Sequence, residues 1–415
     1  MRLSAITLSL AALFAGSAAD AQTIRRFVFA SAKPAGPVSD ATMVQPGRAY
    51  TDGYGYEPGQ PQSFSVAVPE GIYRVTVTLG APRTASVTTI KAENRRLMLD
   101  AVAVPAGKRV TRSFVVDVRT PALPSPPANA PGGPAVRLNA REAGSPNWDD
   151  RLTLEVLGDR AALRDVTIAP VVVPRLFLLG DSTVTDQRFG PAASWGQMLT
   201  AFMAPTIAVA NHAESGETLK SFLTELRLDK VLSQVRPGDV AMIQFGHNDQ
   251  KVQWPQTYAD AATTYRDYLR TYIAELRRRG AQPMLVTSPE RRNWTGTRIR
   301  PTLSDYAAAA RSVAQEERVP LIDLSAASIA FYEALGPQRA PLAFNDGGKD
   351  ATHHDDYGAW VLARAVTEQI RTTAPDLARH LIPGLGRFDP AQPPAPETFV
   401  LAPSAARSTQ RPAGS

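Results

Sequence analysis

The sequence contains no cysteine among its 415 residues, which excludes disulfide bonds, thiolate metal ligands and a cysteine nucleophile. It also lacks a strong charge bias. Its 45 basic and 39 acidic residues leave a formal net charge of +6, too small for a nucleic-acid-binding footprint. Beyond the first residues, no apolar run is long enough to cross a bilayer. We therefore expect no nucleic-acid or membrane partner and a core that is stable without covalent cross-links.

The first 21 residues have the layout of a secretory signal peptide. Arg2 gives a basic start, residues 3–14 are mostly apolar, and Ala19-Asp20-Ala21 places small residues at the cleavage position. A retained amphipathic helix is the alternative. We expect an exported protein, periplasmic or secreted, whose mature chain begins near Gln22.

The rest of the chain is long enough for two globular units. Residues 22–165 contain short alternating runs between Gly and Pro turns, for example at 63–68 and 73–79, which are typical of an antiparallel β-sandwich. Residues 171–382 alternate between apolar runs and helical patterns, which predicts a parallel α/β sheet covered on both faces. Residues 383–415 are rich in Pro and Ala and are predicted to form a tail.

Within the second unit, apolar runs predict five strands and 3.6-residue periodicity predicts three clear helices. The strands are expected at residues 175–179, 206–211, 240–245, 283–287 and 320–324, and the helices at 258–279, 303–317 and 357–371.

Four polar segments follow the first three strands or precede the last helix. They are Gly180-Asp181-Ser182-Thr183, residues 211–218, Gly246-His247-Asn248-Asp249, and Asp350-Ala351-Thr352-His353. Open α/β sheets keep their sites at the carboxyl ends of the strands, so we expect these segments to converge. Any one of them alone could be an ordinary turn.

A hydroxyl, an imidazole and a carboxylate at such an edge predict nucleophilic catalysis of acyl transfer. Ser182 is the candidate nucleophile, His353 its base and Asp350 the group that orients His353. The main-chain amides of Ser182 and Gly216 and the side-chain amide of Asn248 are candidate donors to an oxyanion. This chemistry requires no cofactor.

The four segments together resemble those of the SGNH, or GDSL-type, hydrolases. In that superfamily the Ser, Gly, Asn and His of four blocks are the working residues, matching Ser182, Gly216, Asn248 and His353, and the triad acid matches Asp350. The resemblance implies a flavodoxin-like three-layer α/β/α fold. It is closer still to the rhamnogalacturonan acetylesterase-like branch, over roughly residues 175–371, and rests on Gly-Asp-Ser-Thr and on residues 194–199, 244–250, 303–306 and 352–359.

One segment departs from that pattern. Relatives often have Gly-Arg-Ser in the second block, whereas this chain has Gly216-Glu217-Thr218. The glycine is retained, so the departure concerns substrate contacts near Glu217 rather than the catalytic set.

The first unit has a weaker resemblance to galactose-binding-like β-sandwiches that precede esterases in some bacterial pectin-degrading enzymes. It rests on Phe27-Val28-Phe29, the Gly/Tyr stretch near Tyr54 and residues 148–155. The rings of Tyr54, Tyr56 and Trp148 could stack on sugars, or they could cover a domain interface.

Arg291, Arg292 and Trp294 follow the fourth strand, on the expected active-site edge. Guanidinium groups pair with carboxylates and an indole stacks on sugars, so these residues predict a galacturonate-binding rim, with a solvated loop as the alternative. The acidic and histidine run at residues 354–356 does not predict a metal site, because consecutive residues at a helix start point in different directions.

The resemblance implies an exported esterase that removes acetyl groups from a plant cell-wall polysaccharide, with pectic rhamnogalacturonan as the leading substrate. Xylan or another acetylated glycan is the alternative substrate, and a catalytically inactive carbohydrate-binding protein is the alternative class. The sequence leaves the oligomeric state and the deacetylated hydroxyl open.

Overall fold

A computed structural model describes residues 23–29 and 41–414 of the chain. The expected signal peptide, residues 1–21, lies outside the described residues. None of the helices in the described part of the chain has the length and apolar character needed to span a membrane.

The N-terminal unit is a sandwich of two five-stranded sheets with the orders β2-β1-β10-β5-β8 and β3-β4-β9-β6-β7. In chain order its strands are β1 (Arg25–Phe29), β2 (Ala41–Val44), β3 (Tyr54–Glu57), β4 (Gln60–Ala67), β5 (Gly71–Leu79), β6 (Ser86–Ala92), β7 (Arg96–Val104), β8 (Val110–Val118), β9 (Arg151–Leu157) and β10 (Leu163–Pro170). Among the described strand pairs of this unit, β1 and β2 alone are parallel. The prediction of an antiparallel-rich sandwich is confirmed.

The alternating pattern of the strands builds the core between the two sheets. Val75 and Val77 of β5 and Phe64 and Val66 of β4 are fully buried in one apolar cluster, because every second side chain of a strand points to the same face. The last strand ends at Pro170, beyond the boundary expected at residue 165.

The second unit is built on a five-stranded parallel sheet with the order β12-β11-β13-β14-β17. The strands of this unit are β11 (Arg175–Gly180), β12 (Ala208–Asn211), β13 (Val240–Gln244), β14 (Gln282–Val286), β15 (Trp294–Thr295), β16 (Arg298–Ile299) and β17 (Leu321–Ile322), of which β15 and β16 form a separate hairpin. All five predicted strands are present.

Helices cover both faces of this sheet. They are α1 (Trp195–Leu199), α2 (Leu219–Thr224), α3 (Arg227–Gln234), α4 (Thr264–Arg278), α5 (Ser304–Glu317), α6 (Leu324–Arg339), α7 (Asp356–Thr373) and α8 (Pro375–Ala378). Leu176 and Leu178 of β11 pack towards α1, α6 and α7, whereas Phe177 and Leu179 pack towards α2 to α5. The three-layer α/β/α fold is therefore confirmed.

One predicted helix begins later than its periodicity indicates, and a further helix is interrupted. Helix α4 begins at Thr264 rather than residue 258, because the Asp260 carboxylate accepts hydrogen bonds from the main-chain N of Ala262 and Thr263 and holds a turn there. Helix α6 is interrupted at Gly336, whose φ is 72°. Short 3-10 helices also occur at Ala140–Glu142, Pro146–Trp148, Thr200–Phe202, Ala340–Ala343, Asp346–Gly348 and Pro396–Thr398.

The segment from residue 383 to 414 follows the surface with little regular structure. Its Phe388 and Phe399 rings pack against Trp360 of α7 at centroid distances of 6.1 and 5.8 Å, and Glu397 pairs with Arg339 at 2.6 Å. The part of the C-terminal segment around Phe388 and Phe399 is thus attached to the second unit.

Candidate active site

The carboxyl end of β11 forms the tight turn that carries Ser182. A Cβ atom on Gly180 would lie 2.6 Å from Val184 Cγ2 and 2.8 Å from the Gln244 carbonyl oxygen, so the strand can end here only with glycine. Asp181 closes the turn, because its carboxylate accepts from Thr183 N at 2.9 Å and its carbonyl accepts from Val184 N at 3.0 Å.

The loop before α7 brings a histidine and a carboxylate to this turn. His353 Nε2 lies 2.8 Å from Ser182 Oγ, and His353 Nδ1 lies 2.9 Å from Asp350 Oδ2. The side chains are covered by protein, since Ser182 is 2% and His353 1% exposed. Such a chain of hydrogen bonds can pass a proton from a hydroxyl to an imidazole.

The electrostatics of Asp350 set the direction of this proton transfer. Burial raises the pKa of its carboxyl, but hydrogen bonds from the His353 ring and from the main-chain N of Thr352 and His353 outweigh burial and hold the pKa below its usual value. Asp350 is therefore a carboxylate at neutral pH. A carboxylate favours the tautomer with the proton on Nδ1, which leaves Nε2 as the acceptor.

Gly216 and Asn248 lie in the loops after β12 and β13. Gly216 has φ +87°, a left-handed conformation that side chains disfavour. Asn248 is fully buried; its Nδ2 donates to the Glu217 carbonyl at 3.0 Å, and its Oδ1 accepts from Lys251 Nζ at 2.9 Å. The lysine therefore fixes which side of the amide donates, and a second amide hydrogen remains for a ligand.

His247 and Asp249 support the loop on either side of Asn248. His247 Nδ1 lies 3.4 Å from Asp181 Oδ2, and Asp249 Oδ1 accepts from Leu219 N at 2.9 Å. Complete burial raises the pKa of Asp249 to about 7. The loop after β13 is thus tied to the Ser182 turn and to the start of α2.

The side chain of Glu217 is turned into the protein. Its carboxylate accepts from Ser221 Oγ at 2.6 Å and lies 3.4 Å from Arg227 Nε. Burial raises the pKa of this carboxyl to about 8. At this position, where the chain departs from the family pattern, Glu217 therefore contributes to the internal support of the Gly216 loop.

The three residues predicted to form a substrate rim lie beside the site but already have contacts within the protein. Arg291 donates to the His247 carbonyl at 3.2 Å and to Thr302 Oγ1 at 3.1 Å. Arg292 donates to the carbonyl oxygens of Gly348 and Asp350, and thereby braces the loop that carries the Asp350 carboxylate. Trp294 is partly buried and packs against the apolar core of the second unit.

The side chains of residues 354–356 point to different partners. His354 Nε2 lies 2.6 Å from Tyr332 Oη, the Asp355 carboxylate accepts from Gly358 N, and Asp356 pairs with Arg95 of the sandwich. Across residues 23–29 and 41–414, no group of three or more His, Asp or Glu side chains is arranged to hold a metal ion.

The aromatic residues of the sandwich are largely engaged in packing. Tyr54 and Tyr56 pack on Phe27 and Phe64 at ring-centroid distances of 5.3 and 5.6 Å. Trp148 is buried between the two units, where its Nε1 donates to Glu142 and its ring edge meets His212 of the second unit, whose ring in turn packs on Phe177. The position of Trp148 agrees with the alternative that this ring covers a domain interface.

Several supporting residues were not predicted from the sequence. Gln187 Nε2 donates to the Ser182 carbonyl at 2.7 Å, and Arg95 and Arg96 of the sandwich reach the loop that contains Gln187. Trp195 Nε1 donates to Gln244 Oε1 at 2.7 Å. The partners of Arg95, Arg96 and Trp195 lie tens of residues away in the sequence, so no local pattern signals these three contacts.

Comparisons with known proteins place the chain among ester hydrolases. Residues 178–361 match the model of the GDSL-like Lipase/Acylhydrolase family. The rhamnogalacturonan acetylesterase RhgT of Bacillus subtilis is 36% identical over 227 residues, which are 51% of this chain and 96% of that protein. The probable rhamnogalacturonan acetylesterase YesY of the same organism is 35% identical over 212 residues, 50% of this chain and 97% of that protein.

A further relative extends into the sandwich region. The uncharacterized esterase YxiM of Bacillus subtilis is 28% identical over 315 residues, 74% of each chain. The crystal structure of YxiM superposes with a TM-score of 0.47 at 24% identity and covers 84% of this chain and 98% of that one. On the family match and the 36% identity to a relative covered almost completely, this chain belongs to the GDSL-like lipase/acylhydrolase family and is a serine carboxylic ester hydrolase.

Proposed function

We propose that the protein is an exported acetylesterase that removes O-acetyl groups from pectic rhamnogalacturonan. The observation that carries this proposal is the continuous hydrogen-bond chain from Ser182 Oγ through His353 to Asp350. The substrate class is supported by two relatives named rhamnogalacturonan acetylesterase or probable rhamnogalacturonan acetylesterase, which this chain matches over 96% and 97% of their own lengths.

The reaction follows from the geometry of the site. His353 Nε2 takes the proton of Ser182 Oγ, which attacks the acetyl carbonyl carbon. The oxyanion accepts hydrogen bonds from the main-chain N of Ser182 and Gly216 and from Asn248 Nδ2. His353 then gives the proton to the leaving sugar oxygen, and a water that it deprotonates releases acetate from Ser182.

Replacing Ser182 with Ala tests the mechanism. We expect no turnover of para-nitrophenyl acetate by S182A, with an unchanged melting temperature, because only the nucleophilic oxygen is lost. Turnover at the wild-type rate would refute the assignment of Ser182. Inactivity of the folded wild-type chain on this ester would favour the carbohydrate-binding alternative.

The substrate is tested separately by acetate release from two polymers. We expect the wild-type kcat/KM to be higher on acetylated rhamnogalacturonan than on acetylated xylan. Equal or greater release from xylan would contradict the pectic assignment while leaving the mechanism intact.

A further inference from the structure

A turn of the sandwich reaches into the second unit, here called the catalytic unit, where it contacts the segments that follow Ser182 and His353. This turn, Glu93 to Arg96, joins β6 to β7. Glu93 and Arg95 have φ values of 52° and 62°, in the left-handed region where non-glycine residues are uncommon. Strained conformations of this kind persist where surrounding contacts hold them, often at functional sites.

One side of Arg95 holds the segment that follows Ser182. Its guanidinium donates to the carbonyl oxygens of Gln187 at 3.2 Å and Ala192 at 2.8 Å. Gln187 in turn donates from its side chain to the Ser182 carbonyl at 2.7 Å. Arg95 therefore acts on the nucleophile through one intervening residue.

The other side of Arg95 holds the segment that follows His353. Arg95 Nη2 donates to Asp356 Oδ1 at 3.0 Å. Asp356 is the first residue of α7 and lies three positions after His353. One guanidinium, which belongs to a 5% exposed residue, thus connects the segments that carry the nucleophile and the base.

The next residue of the turn adds a third connection. Arg96 Nε donates to Asp186 Oδ2 at 2.5 Å, and Asp186 Oδ1 accepts from Asn211 Nδ2 at 2.8 Å. Asn211 ends β12, directly before the loop that contains Gly216. The turn therefore contacts the supports of three of the four site segments.

We propose that Arg95 is a positioning residue for the ester hydrolysis, and that the sandwich completes the active site through the turn at residues 93–96. Loss of its contacts would remove one of the links between the Ser182 and His353 segments, which also share a hydrogen bond from Ala193 N to the His354 carbonyl. Small displacements of reacting groups slow catalysis strongly. This proposal rests on the assignment of Ser182 and His353 but not on the identity of the polysaccharide.

The variants R95M, R95K and D356N test this role with para-nitrophenyl acetate in the full chain. R95M removes all the guanidinium contacts, and we expect kcat to fall about 10- to 100-fold with KM within about two-fold, since positioning acts in the transition state. R95K retains one cation and should recover part of kcat. D356N removes the charge of one contact and should lower kcat less.

A matched control is R112M, at an exposed arginine of β8 in the same sandwich, for which we expect wild-type kinetics. Melting temperatures identify any variant that fails to fold. If R95M does not fold, D356N tests the proposal in its place, because this substitution removes no side-chain volume. Folded R95M or D356N with wild-type kcat would overturn the proposal. Inactive wild-type protein would instead refute the proposed mechanism.

A separate set of contacts involves residues 404–414, here called the C-terminal strap. Ser404 Oγ donates to Glu155 Oε2 at 2.6 Å, and the carbonyl of Ala406 accepts from Gly190 N at 2.9 Å. Ser408 N donates back to the Gly190 carbonyl at 2.9 Å, and Arg411 pairs with Asp346 at 3.1 Å. The strap is therefore held at several points as it crosses from the sandwich to the site.

The last described residues of the strap lie against the candidate oxyanion hole. A Cβ on Gly216 would be 3.7 Å from Ala413 Cβ, and a Cβ on Gly414 would be 2.6 Å from Asn248 Oδ1. The Gly414 carbonyl accepts from Lys251 Nζ at 2.6 Å. Ser182 is 2% exposed under this arrangement, and the strap lies against the loops that hold Gly216 and Asn248.

We infer that residues 409–414 compete with substrate for the oxyanion hole and must leave before an ester binds. A chain shortened to end at Ser408 keeps the Ser404, Ala406 and Ser408 contacts but loses the covering residues. We expect its kcat/KM on para-nitrophenyl acetate to rise at least about five-fold, because the apparent affinity is reduced by the fraction of open molecules.

Two point variants and one peptide make this test specific. R411A should raise kcat/KM by a smaller factor because it removes one ion pair, whereas R407A, at an exposed position of the strap, should not change it. A synthetic peptide of residues 409–414 should inhibit the shortened chain competitively. Unchanged kcat/KM of the folded shortened chain and of R411A would overturn the inference, as would absence of inhibition by the peptide.

Discussion

The Asp350 carboxylate accepts two hydrogen bonds from His353, one from ring Nδ1 at 2.9 Å and one from main-chain N at 3.1 Å. This double contact fixes both the position and the tautomer of the imidazole. D350N offers an amide that can present its NH2 group to Nδ1 and so favour the wrong tautomer. We expect kcat to fall by about 10⁴-fold at neutral pH with the fold intact.

The measurement is kcat for para-nitrophenyl acetate, with near-ultraviolet circular dichroism as the check on folding. A folded D350N enzyme that retains more than a tenth of wild-type kcat would show that His353 is oriented by another group.

The Asn248 side chain is the second feature with a direct kinetic consequence. Lys251 occupies its Oδ1, so Nδ2 is the atom presented to ligands. We expect N248A to lower kcat about 10²- to 10³-fold with a small change in KM, because an oxyanion donor acts mainly in the transition state. A change confined to KM would show that Asn248 binds the substrate without stabilising the oxyanion.

Much of this site follows from the sequence because the decisive residues are local to strand ends. A glycine that no other residue can replace ends β11, and Ser182, the candidate nucleophile, follows two positions later. The five parallel strands were predicted from apolar runs alone. Because the strands are parallel, the polar segments that follow them share an edge, and the structure brings Ser182, His353 and Asp350 within hydrogen-bond distance of one another there.

The parts that could not be predicted depend on contacts between distant segments. The approach of Arg95 to Gln187 and Asp356 depends on how the sandwich docks on the catalytic unit, which no periodicity encodes. The Pro-rich C-terminal segment lacks a helical or strand pattern, yet its Phe388 and Phe399 rings pack against Trp360 of α7. Tertiary packing, rather than propensity, decides both features.

Asp249 is expected to give the protein a distinctive pH dependence of stability. Its pKa is raised by burial to about 7 in the folded chain, against about 3.9 for an exposed aspartate. The Asp249 carboxyl therefore binds its proton more tightly in the folded state than in the unfolded state. This group contributes most to stability below about pH 4, and its contribution is lost as pH rises towards 7, by about 1.4 kcal/mol for each unit.

The variant D249N removes this titration. We expect the free energy of unfolding, measured by urea denaturation, to fall more steeply between pH 4 and 7 in the wild-type chain than in D249N. Parallel pH profiles of the two proteins would contradict the buried carboxyl as the source, whatever the absolute stability of the variant.

A substitution of Arg292 distinguishes two roles of the arginine-rich segment after β14, support of the Asp350 loop and direct binding of a sugar carboxylate. Because its guanidinium donates to the carbonyl oxygens of Gly348 and Asp350, we expect R292Q to loosen the triad loop. The kcat should then fall about ten-fold on both para-nitrophenyl acetate and acetylated rhamnogalacturonan, with KM little changed. R300Q, at an exposed arginine of the same segment, is the control. A rise in KM limited to the galacturonate-containing polymer would instead favour direct pairing of Arg292 with a sugar carboxylate, because a neutral small ester cannot report that contact.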